Sequence, residues 1–193
     1  TTTCADLNND GWLDLYTGEI VHGDVGETAD PAEVLLNSGE EDVHFDRPGN
    51  EALGLLRGDE DDLFFDHGDM NNAVLDFDND GCLDLYVANY IDVMHIADSS
   101  TRFTLGRRGG QWVVTRVNGQ STFKARFRGR FLVTPDGRVK ELPERDCFYL
   151  NDGTGKFQKM VFEQGSFTDE DGQPFAAKRD WGLAVAFRDV NGD

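Results

Sequence analysis

A chain of 193 residues, 38% hydrophobic and with 14 Phe, has the length of one ordinary domain or a piece of a larger one, and its apolar mass excludes an acidic disordered tail. Its formal net charge of −19 repels phosphate backbones and anionic lipid, which argues against nucleic acid or an anionic membrane surface as partner. Three cysteines, Cys4, Cys82 and Cys147, do not make a disulfide scaffold, and no apolar run approaches the ~20 residues of a membrane-spanning helix, so membrane insertion is not expected.

The first element is CADLNNDGWLDLYTGE (4–19), an acidic Gly-containing loop that runs into the strand pattern LDLYTGEI (13–20). VLLNSGEEDVHFD (34–46) follows as strand, L-N-x-G turn and short Phe-bearing strand. The strand AVLDF (73–77) then leads into VLDFDNDGCLDLYVAN (74–89), which matches residues 4–19 at eight of sixteen positions, at an offset of 70. LDLYVANYI (83–91) is the next strand.

CFYLNDGTGKF (147–157) repeats the strand and L-N-x-G turn, GLAVAF (182–187) is a strand, and FRDVNGD (187–193) starts a third loop. Internal repeats decide the architecture before other signals do. Asp6 to Asn37 spans 31 residues and Asp76 to Asn151 spans 75, so the second copy holds an insertion of about 44.

Inside that insertion, QWVVTRV, Asn118-Gly119 and STFKARF (111–127) read as a hairpin with a type I′ turn. RFLVT, Pro135-Asp136-Gly137 and RVKEL (130–142) read as another. Residues 92–147 carry 11 of the 18 Lys and Arg against six acids, a local +5 that leaves −24 elsewhere. No 3.6-residue stripe persists over three turns, so helix is nearly absent. The expected organisation is a first blade at 1–68, a second at 69–180 with a basic insertion at about 92–146, and the start of a third at 181–193. Each blade has about four antiparallel strands, as in a β-propeller.

The loops carry the chemistry. Calcium takes six to eight oxygen ligands, and a short loop supplies them from alternate positions. Loop one offers Asp6, Asn8, Asp10, the carbonyl of Trp12, and Asp14 at positions 1, 3, 5, 7 and 9. Loop two offers Asp76, Asp78, Asp80, the carbonyl of Cys82, and Asp84; the third begins with Asp189, Asn191 and Asp193. Gly11 and Gly81, at position 6, are expected at positive φ. Leu13 and Leu83, at position 8, are expected to anchor the loops to the core. An EF-hand needs Glu at position 12 and flanking helices; here Thr17 and Val87 stand there, between strand patterns.

DLNNDGWLDLY, VLDFDNDGCLDLYVANY, FYLNDGTGKF and WGLAVAFRDVNGD resemble the FG-GAP/VCBS repeat family, whose repeats form integrin-type β-propellers. Their order is also similar to that in the bacterial and cartilage acidic proteins carrying an ASPIC/UnbV segment. The resemblance spans all but residues 92–146. It implies a secreted, periplasmic or cell-surface adhesion or scaffold role, with structural Ca²⁺ and a protein or glycan ligand, alongside the remaining blades of the propeller.

Other short matches carry little. Arg57-Gly58-Asp59 reads as a solvated loop, and His22-Gly23-Asp24 and His67-Gly68-Asp69 as turns; no nucleophile elbow or phosphate loop is present. Two functions fit the sequence: a non-enzymatic calcium-stabilised binding module, or the propeller domain of a secreted polysaccharide-active lyase or hydrolase, for which no catalytic residue can be named. Turnover of an anionic polysaccharide separates them.

Overall fold

The computed structural model describes residues 1–18, 32–55, 69–90, 95–124, 127, 129–160, 167–168, 171–174 and 183–188. Strand makes up 42% of the described residues and helix 4%, so the fold is all-β as the sequence predicts. Four small antiparallel sheets are described, and none of them closes on itself.

The first sheet takes β1 (Thr2–Ala5), β2 (Asp14–Thr17), β3 (Glu33–Asn37) and β4 (Phe45–Asp46) in chain order. The second takes β5 (Asp69–Leu75), β6 (Asp84–Asn89), β12 (Cys147–Asn151) and β13 (Phe157–Lys159) in the same relative order. Their registers correspond. Ala5 faces Asp14 and Leu75 faces Asp84 across the loop hairpins. Asn37 faces Phe45 and Asn151 faces Phe157 beyond the L-N-x-G turns.

Between β6 and β12 lies the segment read above as an insertion. It forms a three-stranded sheet of β7 (Phe103–Arg108), β8 (Gln111–Val117) and β9 (Gln120–Ser121), and a two-stranded one of β10 (Phe131–Val133) and β11 (Val139–Glu141). Asn118 and Gly119 both adopt positive φ, 47° and 80°, as a type I′ hairpin turn requires.

One core holds the two four-stranded sheets together. Ala5, Tyr16 and Val34 from the first sheet pack with Leu85, Val87, Cys147 and Tyr149 from the second, all nearly solvent-free. Burying each large aliphatic side chain contributes about 1.5–3 kcal/mol. The first strands of the sheets also meet: Thr3 Oγ1 donates to Asn72 Oδ1, and Asn72 Nδ2 donates to Thr1 Oγ1 at 3.1 Å. The opposite face of the second sheet carries Phe148, ringed by Phe77, Tyr86 and Phe167.

Three local readings change. A four-residue helix, α1 (Asn50–Leu53), follows β4 and ends at Gly54 in the left-handed region; a Cβ there would sit 2.1 Å from the carbonyl of Phe157, so only glycine lets the chain pass. Residues 183–188 do not form the strand expected from GLAVAF. No strand among the described residues pairs with them, and they meet the second sheet through Val185 N–H to Asn71 Oδ1 at 3.4 Å and Phe187 against Tyr86. The insertion also has a hairpin, β7–β8, that the sequence reading passed over, turning at Gly109-Gly110. Among the described residues no helix is long and apolar enough to cross a membrane.

Candidate metal centre

Each loop sits between the first and second strand of its sheet and is folded by its own carboxylates. In loop one, Asp6 accepts the N–H of Asp10 at 3.1 Å and of Gly11 at 2.9 Å; in loop two, Asp76 accepts those of Asp80 and Gly81, both at 3.0 Å. Asp10 and Asp80 each accept the N–H two residues on, from Trp12 and Cys82, at 2.8 Å. Gly11 and Gly81 have φ of 89° and 87°, as position 6 predicts. Asn9 and Asn79, at position 4, also have positive φ, 57° and 61°. Asparagine is among the few side chains that tolerate this, and its recurrence in both loops was the available signal.

The position-9 acids are wholly buried, with 0% of Asp14 and 1% of Asp84 exposed. Asp14 accepts the N–H of Leu7 and of Asn37, both at 2.8 Å; Asp84 accepts those of Phe77 at 2.8 Å and Asn151 at 2.9 Å. Burial pushes both carboxyls above their usual range. The two N–H donors pull each back, and the neighbouring loop acids, Asp10 and Asp6 or Asp78 and Asp80, push them up again.

Asp76, Asp78 and Asp84 each bring a carboxylate oxygen to within 4.8 Å of the other two. Among the described residues this is the only such group of three acidic, His or Cys side chains. Loop one has Asn8 where loop two has Asp78, and Asn8 accepts from Asp10 N–H at 3.2 Å while donating to Asp10 Oδ2 at 2.9 Å. An all-oxygen set of convergent carboxylates has the chemistry to hold a hard divalent cation. Asp189, Asn191 and Asp193 of the third loop lie outside the described residues, as do His22-Gly23-Asp24, His67-Gly68 and Arg57-Gly58-Asp59, while Asp69 opens β5.

The anchoring of the loops differs from the sequence expectation. Leu13 is 60% exposed, while Leu83 packs only partly against the core. Position 2 anchors instead: Leu7 is 1% exposed, and the Phe77 ring meets Phe148 at 4.9 Å. The N–H of this same residue braces the position-9 acid, so it must face inward.

The L-N-x-G turns are part of the site, which sequence reasoning missed. Asn37 Nδ2 donates to the carbonyl of Leu13 at 3.2 Å, and Asn151 Nδ2 to that of Leu83 at 2.9 Å; their Oδ1 atoms accept from Gly39 and Gly153. The position-7 side chains pack on these glycines. A Cβ on Gly39 would lie 2.7 Å from Trp12 Nε1, and one on Gly153 would lie 2.8 Å from Cys82 Sγ. Trp12 is otherwise half exposed, and the Cys82 thiol is pushed above its usual value, first by desolvation and then by Asp80 and Asp76.

The insertion holds a second polar cluster. Glu141, its side chain fully buried, accepts from Arg130 Nε at 3.0 Å and Ile96 N–H at 2.8 Å and contacts His95 Nδ1 at 3.0 Å. Arg130 also pairs with Glu144 at 2.7 Å. Burial alone raises the Glu141 carboxyl, yet His95, the Ile96 N–H and Arg130 together hold it below the usual range. Because Glu141 and Glu144 are turned inward, the insertion's surface is more cationic than its composition. Arg107, Arg108, Arg116 and Lys124 are exposed, with Arg107 over the half-exposed Trp112 ring and Arg108 over Phe123.

No protein-family model matches the chain, and neither the curated proteins nor the solved structures contain a match.

Proposed function

We propose that this chain is two blades and the start of a third from a calcium-stabilised β-propeller, and that it works as a non-enzymatic binding scaffold outside the cytoplasm. The observation that carries the reading is the convergence of Asp76, Asp78 and Asp84, braced by the same backbone bonds that recur around Asp6 and Asp14.

Supporting the propeller are two sheets of equal strand order, set side by side on one core with their first strands adjacent. The second sheet also presents an aromatic outer face, on which Phe187 of the following segment rests. Calcium, when bound, supplies charge neutralisation to carboxylates that otherwise repel one another. Asp6 and Asp76 fold the loops, Asp14 and Asp84 tie them to the third strand, and Asn8, Asp10, Asp78, Asp80 and the carbonyls of Trp12 and Cys82 complete the donor sets. A protein or glycan with acidic character is the partner to which the Arg- and Trp-bearing face of the insertion is complementary.

Terbium luminescence tests the reading, because Trp12 lies within loop one and can sensitise an ion held there. Emission on excitation of tryptophan should appear with terbium and be displaced by calcium. No sensitised emission in the wild-type chain would sink the metal assignment of loop one.

A further inference from the structure

Asn151 touches both loops at once. Its side chain is 5% exposed, and Nδ2 donates to the carbonyl of Leu7 in loop one at 2.7 Å and to that of Leu83 in loop two at 2.9 Å. Its own N–H donates to Asp84. Leu7, in turn, donates its N–H to Asp14. A continuous path therefore joins the two position-9 acids: Asp14 to Leu7, Leu7 to Asn151, Asn151 to Asp84. Beside it the loop surfaces meet directly. Asn9 Nδ2 lies 3.6 Å from Cys82 Sγ, and the turn after β12 is wedged against both loops. A Cβ on Gly153 would crowd Cys82 and Asn9, and one on Gly155 would reach 3.4 Å from Asn8.

Resting on the calcium reading above, we infer that Asn151 is a positioning residue shared by the two sites and that occupancy of either loop raises the affinity of the other. The physical reason is the cost of ordering. Fixing Asp14 around a cation fixes Leu7, and the Leu7 carbonyl holds the Asn151 amide in the rotamer that also clamps Leu83. The second loop then loses less conformational freedom when it fills, and by linkage the effect is reciprocal. Two shared hydrogen bonds place the coupling at the lower end of the usual range, about 5–10-fold in affinity.

The test is calcium calorimetry on the EDTA-stripped chain, on Asp10→Ala and Asp78→Ala, and on the same three proteins carrying Asn151→Ser. Asp10→Ala leaves loop two, Asp78→Ala leaves loop one, and neither removes a residue on the path. The product of the two wild-type constants should exceed the product of the two single-loop constants by about 5–10-fold, and the excess should vanish in Asn151→Ser. Calcium binding with equal products overturns the coupling and leaves the calcium reading standing; no calcium heat in wild type overturns that reading itself. Coupling that survives in a folded Asn151→Ser protein refutes the role of Asn151. Should that variant not fold, the wild-type comparison still decides the coupling, and Asn9→Gly, which keeps the positive φ, should weaken it; an unchanged excess there counts against the shared contact.

Discussion

Asp84→Asn separates two jobs the structure gives one carboxylate. Without calcium, Asp84 braces the loop by accepting two N–H groups, from Phe77 and Asn151. Asparagine keeps one acceptor oxygen and turns an NH₂ toward the other N–H, leaving a buried donor unpaired at a cost of about 1–3 kcal/mol. Part of that is offset, because the amide carries no charge to desolvate and no repulsion with Asp78 and Asp80. The expected loss in EDTA is therefore about 1–2 kcal/mol, or roughly 2–8 °C in melting temperature for a chain of this size. Calcium at about 100 times its Kd adds about 2.7 kcal/mol per occupied site. If Asp84 is also a ligand, the gap between wild type and variant should widen in calcium by roughly that amount. Thermal melting by circular dichroism, with EDTA and then with calcium, reads both numbers. An equal gap in the two conditions would mean that Asp84 is a backbone brace alone.

Loop two presents four carboxylates and loop one three, because Asn8 replaces an acid; Asp80→Ala should therefore remove the tighter calcium event and Asp10→Ala the weaker, and calorimetry showing the reverse sinks the ranking. Arg130→Met strips the buried Glu141 and Glu144 of their cation and should destabilise the protein by about 3–5 kcal/mol in chemical denaturation; a change under ~1 kcal/mol contradicts the buried pairing. Since the folded-state value of Glu141 is lowered, its contribution to stability is present above the unfolded-state value and is lost as pH falls through the folded one. Glu141→Gln should flatten that acid limb of the melting profile, and an unaltered slope contradicts the assignment. Deleting residues 100–142 should leave calcium affinity within about twofold while abolishing binding to acidic partners; loss of folding would make the insertion structural instead.

Much of the site was legible because local chemistry dictates it. A position-6 glycine, a donor at every second position and an Asn-Gly hairpin are short-range rules, and Gly11, Gly81 and Asn118-Gly119 follow them. Periodicity failed where burial depends on a neighbour far along the chain. Leu13 and Leu7 are equally apolar in sequence, yet only Leu7 has the second sheet over it, brought there by Asn151, which lies 144 residues away. The Arg130–Glu141 pair was hidden for the same reason: a composition count sees a cation and an acid, not that both are buried together. The β7–β8 hairpin was missed because Gly109-Gly110 is preceded by Gly106, Arg107 and Arg108, which obscure the apolar alternation of β7.

The central claim is that the two described loops hold calcium, and the most direct measurement is stoichiometry. Equilibrium dialysis of the EDTA-stripped wild-type chain against radioactive calcium, with an Asp6→Ala and Asp76→Ala double variant in parallel, counts the bound ions. Those two acids fold loops one and two through the N–H groups of Asp10, Gly11, Asp80 and Gly81. The account predicts one calcium per described loop in wild type, both lost in the double variant. Retention no greater in wild type than in the double variant, at millimolar free calcium, would contradict it.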